Sequence, residues 1–469
     1  MNVWPLKFRE MPDGSVLFCD DAGGFFRSDQ AFLDRYAGDS LSAADCAFLK
    51  EGNHGYDREF DLPWTSFAYR WARRQSKPKK MNYVILVPTL RCNLACGYCQ
   101  VSRAPENARG FDWSAETLAG VLLFLGGLEG PDIKIEFQGG EPLLRVDLLE
   151  AVRGFCREKF SQSQFVVCTN LQALDERAWA FLDANDTFIS TSLDGDRVSH
   201  ERQRTHNREA TDAFFRNIEA AVSRYPTGKI SALPTVDVAN PSDFEALLDN
   251  YERYGIRSVY LRPINHQGFA RKISQGSNVL ARWTRLHCEF IDLLIARNYR
   301  TGRCMEEYYF SQCLKRVLRS DADNHVDIRN PNFFASDYVV IDHDGRFYPS
   351  DEARMLSRIG RIDLSIGDVG TGIDREKVNV LDSRAFNHFD PDCIHCPYQP
   401  FCGTDVIDDI SRYGRADVPR PDTWFCGRHL SLFDKVFEVL YRKDEPARAS
   451  VAAWLGVGGW DDSMAATHQ

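Results

Sequence analysis

Cys92, Cys96 and Cys99, in the stretch Arg91-Cys92-Asn93-Leu94-Ala95-Cys96-Gly97-Tyr98-Cys99, are the residues of this chain best placed to hold a redox metal group. Three thiolates spaced C-x3-C-x2-C on one loop can each take one iron of a cubane, and no fourth cysteine is near them in sequence, so one iron is left open to a ligand. Cys-x2-Cys alone would also suit zinc. Zinc usually takes a second Cys/His pair close by, however, and the nearest histidine, His54, lies well upstream.

The elements that must position this loop follow from periodicity. An apolar run over 83–87 directly precedes it and predicts a strand. From Asn82 to about Arg300, strand-like and helix-like runs alternate six times. Strands are expected at 84–88, 133–138, 164–169, 187–193, 229–237 and 258–264, with helices at 114–125, 145–159, 175–182, 210–222 and 242–254. Such alternation requires parallel strands with crossover helices, an α/β fold. Upstream, 6–10 and 15–20 read as a hairpin turned at Pro12-Asp13-Gly14, and 25–27 as a third strand. Ser28-Asp29 then caps a helix over 30–37, and Ser42 begins another that ends near Gly52. The run 70–80, with Arg73, Arg74, Lys77, Lys79 and Lys80, reads as a solvated linker. Downstream, 302–330 looks irregular, 336–349 reads as a hairpin turning at His343-Asp344-Gly345, 430–441 has helical periodicity, and the tail from Gly456 reads as loose.

Composition sets bounds. A chain of 469 residues is too long for one ordinary core, and 43% apolar with 26% charged residues reads as globular. A formal net charge of -10 leaves no basic footprint for nucleic acid. No apolar run approaches membrane-spanning length, and Lys7, Arg9 and Glu10 stand where a signal peptide would be apolar, so a cytoplasmic protein with no membrane contact is expected.

The cysteine loop at the mouth of a first strand, followed by Phe137-Gln138-Gly139-Gly140-Glu141-Pro142 at the end of the second, resembles the radical S-adenosylmethionine (SAM) superfamily. The resemblance implies a partial (β/α)6 barrel with its chemistry at the C-terminal strand ends. Cys92, Cys96 and Cys99 would hold a 4Fe-4S cluster whose open iron is chelated by SAM, and reduction would release a 5'-deoxyadenosyl radical. Gln138, Gly139, Gly140, Glu141 and Pro142 would line the cofactor, with Glu141 receiving the amine of SAM. Ser192 and Arg204 would contact its ribose and carboxylate, and Tyr98 would pack near adenine. Asn170, after the third strand, joins the site residues; Asp194 reads as a turn residue.

Cys393, Cys396 and Cys402, spaced C-x2-C-x5-C, followed by Cys426, resemble the SPASM extension of radical SAM peptide maturases, which implies an auxiliary 4Fe-4S cluster. A zinc ribbon is the competing reading. Val406 and Ser350 stand where a full extension would place further cysteines, so one auxiliary cluster is expected, not two. Cys19, Cys46, Cys156, Cys168, Cys288, Cys304 and Cys313 then read as buried small hydrophobes.

The expected divisions are 1–80, similar to the winged-helix modules that bind leader peptides; 81–300, the radical SAM core; 301–335, a bridge; 336–430, the SPASM-like part; and 431–469, a helix and tail. The whole looks most like the His-Xaa-Ser-system maturases, which implies a ribosomally made precursor peptide with a leader and a flavodoxin- or ferredoxin-like reductant. Two other readings stay open. A sulfatase-type maturase would oxidise Ser or Cys to formylglycine, with Asp351 as proton acceptor, and a non-catalytic electron carrier would need the clusters but no SAM site.

Overall fold

The computed structural model describes residues 1–75, 79–273, 278–322 and 325–457. Its central sheet has seven strands in the order Ile230–Ala232, Thr187–Thr191, Gln162–Thr169, Asp132–Gly139, Tyr83–Thr89, Tyr338–Ile341 and Phe347–Tyr348. The first six run parallel and the last antiparallel. Crossover helices Ala115–Gly126, Val146–Lys159, Glu176–Leu182 and Arg208–Arg224 make the parallel order possible. The α/β class and winding are those the alternation predicts.

A period of two decides what each strand face does. Val84 and Leu86 join the core under the helices, while Ile85 and Val87 face the other way, against Val340 and Tyr348. Ile133, Ile135 and Phe137 repeat the pattern on the next strand and leave Lys134, Glu136 and Gln138 to the opposite face.

The last two expected strands are not continuous. Pro234, which has no N–H to donate, interrupts 229–237. Ile230–Ala232 stays in the sheet, and Thr235–Val236 leaves it to pair with Arg262–Pro263. The run 258–264 splits as well, its first half, Ser258–Val259, pairing with Glu306–Glu307. The barrel therefore opens after its fifth strand. On the opposite side the hairpin expected at 336–349 adds Tyr338–Ile341 directly beside the first strand.

Residues 302–330 are not irregular throughout, for they contain the helix Tyr308–Leu318, capped by Glu307, whose carboxylate accepts from Phe310 N at 2.6 Å. Most of its side chains are buried, and its polar residues Ser311, Gln312, Lys315 and Arg316 recur on one face of a helix only three turns long. The 23-residue helix Val279–Thr301 also lies beyond the expected elements, and the helix expected at 430–441 begins earlier, at Trp424 on a Thr423 cap.

The N-terminal strands Leu6–Glu10, Val16–Asp20 and Phe25–Ser28 form an antiparallel meander. Helices Gln30–Ala37 and Ala43–Glu51, capped by Asp29 and by a Ser42/Asp45 capping box, cover a core of Phe18, Phe26, Phe32 and Leu49. The solvated linker is corrected in its first half. Residues up to Arg74 belong to the helix Leu62–Arg74, and Arg74 is buried. Its guanidinium donates to Ala22 O at 2.6 Å, Arg316 O at 2.7 Å, Val317 O at 3.1 Å and Gly23 O at 3.3 Å, and Arg316 returns a bond to Arg74 O at 2.8 Å. Lys77 and the tail from 458 lie outside the described residues.

Replacing Arg74 with Met should cost about 3 kcal/mol, because four buried carbonyls lose a charged donor at once. Thermal unfolding followed by limited proteolysis should show the first 75 residues becoming cleavable below the main transition.

Candidate active site

The C-terminal ends of the parallel strands open onto a cavity of about 550 Å³. Strand alternation sends Lys134, Glu136 and Gln138 into it, with Ile85, Cys168 and Ser190 from neighbouring strands. Glu136 gathers three donors: Tyr83 Oη at 2.5 Å, Gln138 Nε2 at 2.6 Å and Cys168 Sγ at 3.3 Å.

The cysteine loop crosses the mouth of this cavity, and Cys92, Cys96, Cys99 and Tyr98 line it. Two glycines set the loop's position. A side chain on Gly139, at φ +122, would fall 2.2 Å from Thr89 O, and one on Gly140 would fall 2.1 Å from Arg91 O. Only glycine lets the second strand's end lie against the first, where Gly140 N donates to Thr89 O at 3.0 Å and Glu141 N to Arg91 O at 2.8 Å.

Glu141 is fully buried, and its carboxylate accepts from Leu143 N at 3.0 Å and Asn170 N at 2.8 Å. Burial raises its pKa to about 7, against the pull of those two N–H donors. It is not among the residues that line the cavity, so its side chain ties strand ends together. Asn170 continues the tie. Its Nδ2 donates to Asn93 Oδ1 at 2.8 Å, inside the cysteine loop, and lies 3.7 Å from Cys92 Sγ.

On the far side Arg204 reaches the cavity from a π-helical turn, Glu201–Thr205. It donates to Tyr98 Oη at 2.5 Å, and Tyr98 in turn donates to the buried Asp194. Asp194 lies 3.7 Å from Arg204 and accepts from Thr235 N at 3.0 Å. Asp194 is thus more than a turn residue, because it carries the charge that balances Arg204 under the loop. Burial opposes the Arg204 charge, yet Tyr98, Cys96 and Asp194 more than offset it and hold its pKa above the usual range. Ser192 faces the same space from the end of its strand.

The thiols suit a metal group. Burial pushes Cys92 up to about 12 and raises Cys96, where Arg204 pulls the other way. Thiolates in such a place need a cation beside the sulfur, which a bound metal would supply. Cys168 is a fourth cysteine in this cavity, but its sulfur turns to Glu136 and the three loop thiols act on one another. Cys168 is therefore a cavity residue, and Cys46 and Cys288 are also only partly buried.

Cys393, Cys396, Cys402 and Cys426 come together around a second cavity, of about 630 Å³. Burial raises Cys393 to about 12 and Cys426 to about 11. Among the described residues, the metal-ligand atoms of Asp342, His343 and Asp344 are within 4.8 Å of one another.

Residues 86–250 match the family model of the radical SAM superfamily. This segment is a radical SAM domain. Such domains bind SAM and a 4Fe-4S cluster, and the cavity's donors fit both. A cysteine-type anaerobic sulfatase-maturating enzyme of Clostridium novyi is 23% identical over 76% of this chain and 95% of its own length. An uncharacterized protein of Methanocaldococcus jannaschii is 32% identical, but this chain spans only 39% of it. The solved structure of native anSMEcpe with bound AdoMet aligns at TM-score 0.62 and 17% identity, over 76% of this chain and 98% of that one. Streptococcus suis SuiB bound to precursor peptide SuiA aligns at 0.52 and 13%, over 88% and 97%. These likenesses bear out the fold. No helix among the described residues is long and apolar enough to cross a membrane.

Of the residues read from sequence, the structure gathers Cys92, Cys96, Cys99, Tyr98, Gln138, Gly139, Gly140, Asn170, Ser192, Arg204 and Asp351 around one cavity. Glu141 and Pro142 stand behind its wall. Glu136, Tyr83, Lys134 and Asp194 were missed, although the polar stripe Lys134, Glu136, Gln138 at every second position of an otherwise apolar strand was a signal for the first and third.

Arg204→Ala should weaken SAM binding roughly ten- to a hundred-fold, the loss of one charge-assisted contact of about 1.5 to 3 kcal/mol. Glu141→Gln should leave SAM affinity within a few-fold of wild type and lower the melting temperature. Calorimetry on both variants checks the division of roles.

Proposed function

We propose that this chain is a peptide-modifying radical SAM enzyme whose substrate is a ribosomally made precursor. The observation that supports this most is that the cavity beside the cysteine loop continues into a second pocket. The two share Gln100, Thr235, Arg262, Val326, Tyr338 and Glu352 as walls, which leaves room beyond the cofactor for an extended chain. The SuiB structure was solved with a precursor peptide, which favours the same substrate class here. When bound, SAM and its cluster supply a 5'-deoxyadenosyl radical that takes hydrogen from unactivated carbon. Cys92, Cys96 and Cys99 would hold that cluster, and Cys393, Cys396, Cys402 and Cys426 an auxiliary one.

The protein's own groups account for the rest. Arg204, Tyr98 and Asp194 form a preorganised charged wall for the cofactor's polar end, and Glu136 with Lys134 and Gln138 forms the opposite one. An oxidative cross-link removes a second hydrogen as a proton and an electron, and Asp351 is our candidate for the proton. It lines the cavity with a pKa raised by burial, and Arg354 holds it at 2.7 Å. The finer reading adds a His-Xaa-Ser precursor and a flavodoxin- or ferredoxin-like reductant. A second reading, oxidation of Ser or Cys to formylglycine, draws on the likeness to the Clostridium novyi enzyme.

Replacing Cys393 and Cys396 together with Ser should halve the iron from about eight atoms per chain to about four. SAM cleavage should persist while the oxidised peptide disappears. Mass spectrometry of a leader-bearing precursor incubated with the wild type tests the reading: loss of two hydrogens supports it, and conversion of a cysteine to an aldehyde favours the second.

A further inference from the structure

The second pocket, about 310 Å³, has an unusual charge balance. Two of its carboxylates are matched: Asp327 pairs with Arg428 at 3.0 Å and Asp408 with Arg412 at 2.8 Å. The remaining arginine, Arg262, lies over the Tyr260 ring at 5.5 Å, and its charge bears on Asp194 and Tyr251. Among the histidines, His287 lies 3.4 Å from Glu307 and His325 meets Tyr260 Oη at 3.3 Å. Glu352 and Asp405 are left over from those pairs. Asp405 Oδ1 caps the helix Val406–Tyr413, accepting from Ile407 N at 3.1 Å and Asp408 N at 2.9 Å, but these bonds bring no cation.

A third acceptor points the same way. Gln267, 1% exposed, lines this pocket, and its Oε1 is buried with no donor. Buried acceptors are rarely left so, and two buried carboxylates with no cation are costly. Glu352 also stands at the neck, on the walls of both cavities.

We propose that this pocket receives a guanidinium or ammonium side chain of the substrate, held by Glu352, Asp405 and the Gln267 carbonyl, while a neighbouring residue is attacked in the adjoining cavity. The assignment rests on the peptide reading above and deepens it by naming a substrate class. A cation supplies what these groups lack: a charge beside the two carboxylates and a donor for the Gln267 carbonyl. Burial, reinforced by Asp351, raises Glu352 to about 7, and burial with Asp408, Asp327 and Glu352 raises Asp405 well above the carboxylate range. The charged or titratable groups around the pair are Asp351 and Arg354 on one helix, Asp327 and Tyr338 from the facing segment, Asp408 and Arg412 on the next helix, and Arg428 behind. A cation between the two carboxyls favours the ionised form of both, so binding near pH 7 releases protons.

The test is calorimetry on the reconstituted protein with SAM, titrating methylguanidinium chloride, with sodium acetate as control, in two pH 7 buffers of different ionisation enthalpy. The expected result is binding of methylguanidinium, a buffer-dependent heat that reports proton release, and no binding of acetate. The double variant Glu352→Gln, Asp405→Asn, in which Asn keeps the helix cap, should bind at least tenfold more weakly without releasing protons. Acetate binding as tightly as methylguanidinium, a heat indifferent to buffer, or an unchanged affinity in a folded double variant would each overturn the assignment. The measurement needs no turnover. A protein that binds methylguanidinium this way yet modifies no peptide would sink the peptide reading and leave the pocket as a cation site.

Discussion

The site depends on one buried carboxylate. Glu141 leaves the second strand with its N–H on Arg91 O and turns its side chain to Leu143 N and Asn170 N, so the ends of the first three strands are fixed by one residue. Asn170 then reaches Asn93 inside the cysteine loop. A loop that brings three cysteines to one cavity is not held by its own short contacts alone. It is held because glycines at 139 and 140 let two backbones approach more closely than any side chain permits, and because the carboxylate converts that approach into hydrogen bonds. The burial of Glu141 is unfavourable for its charge, as its raised pKa shows, and its two N–H donors limit the cost.

Around that tie, the strand period sorts side chains into those that stabilise and those available for chemistry. Phe137 and Ile135 bury apolar area under the helices, and Glu136 and Gln138, one position on, cannot do the same without facing the cavity. Arg204 lines the same cavity, and its charge survives burial because Asp194 and Tyr98 sit against it. Charged groups already fixed in the cavity wall need no rearrangement when a polar ligand arrives.

Where local pattern determined structure, it could be read from the sequence. The alternation of strands and helices, the cysteine spacings and the caps at Asp29 and Ser42 depend on neighbours in sequence, and the structure has them. Glu141 stands out in the sequence because its motif is local, whereas its partner Asn170 arrives from another strand. Arg74 looked solvated in a run of basic residues, yet its partners at 316 and 317 are remote in sequence. Tyr308–Leu318 sets Ser311, Gln312, Lys315 and Arg316 on one face, a helical period that the sequence carries over only three turns, and tertiary contacts bury most of that face as well. Glu352 drew no attention beside Asp351, and only the meeting of two cavities sets it apart.

The N-terminal meander is bound into the auxiliary cysteine site rather than hung beside it. Phe8, Arg9 and Leu33 are walls of the cavity that holds Cys393 and Cys426. Arg9 makes a two-bond pair with Asp434 at 2.6 and 2.7 Å, and Asp434 also accepts from Tyr398, two residues beyond Cys396. Phe25 packs edge-on against Phe437, and Arg74 anchors the other end to the helix Tyr308–Leu318. A partner peptide that added to an edge of this meander would therefore press on elements that also hold the four thiols. Removing the block would expose that cavity and unpair Asp434, so loss of function on truncation would not distinguish a lost leader-binding surface from a damaged cysteine site, whereas substitutions confined to the solvent side of the meander would.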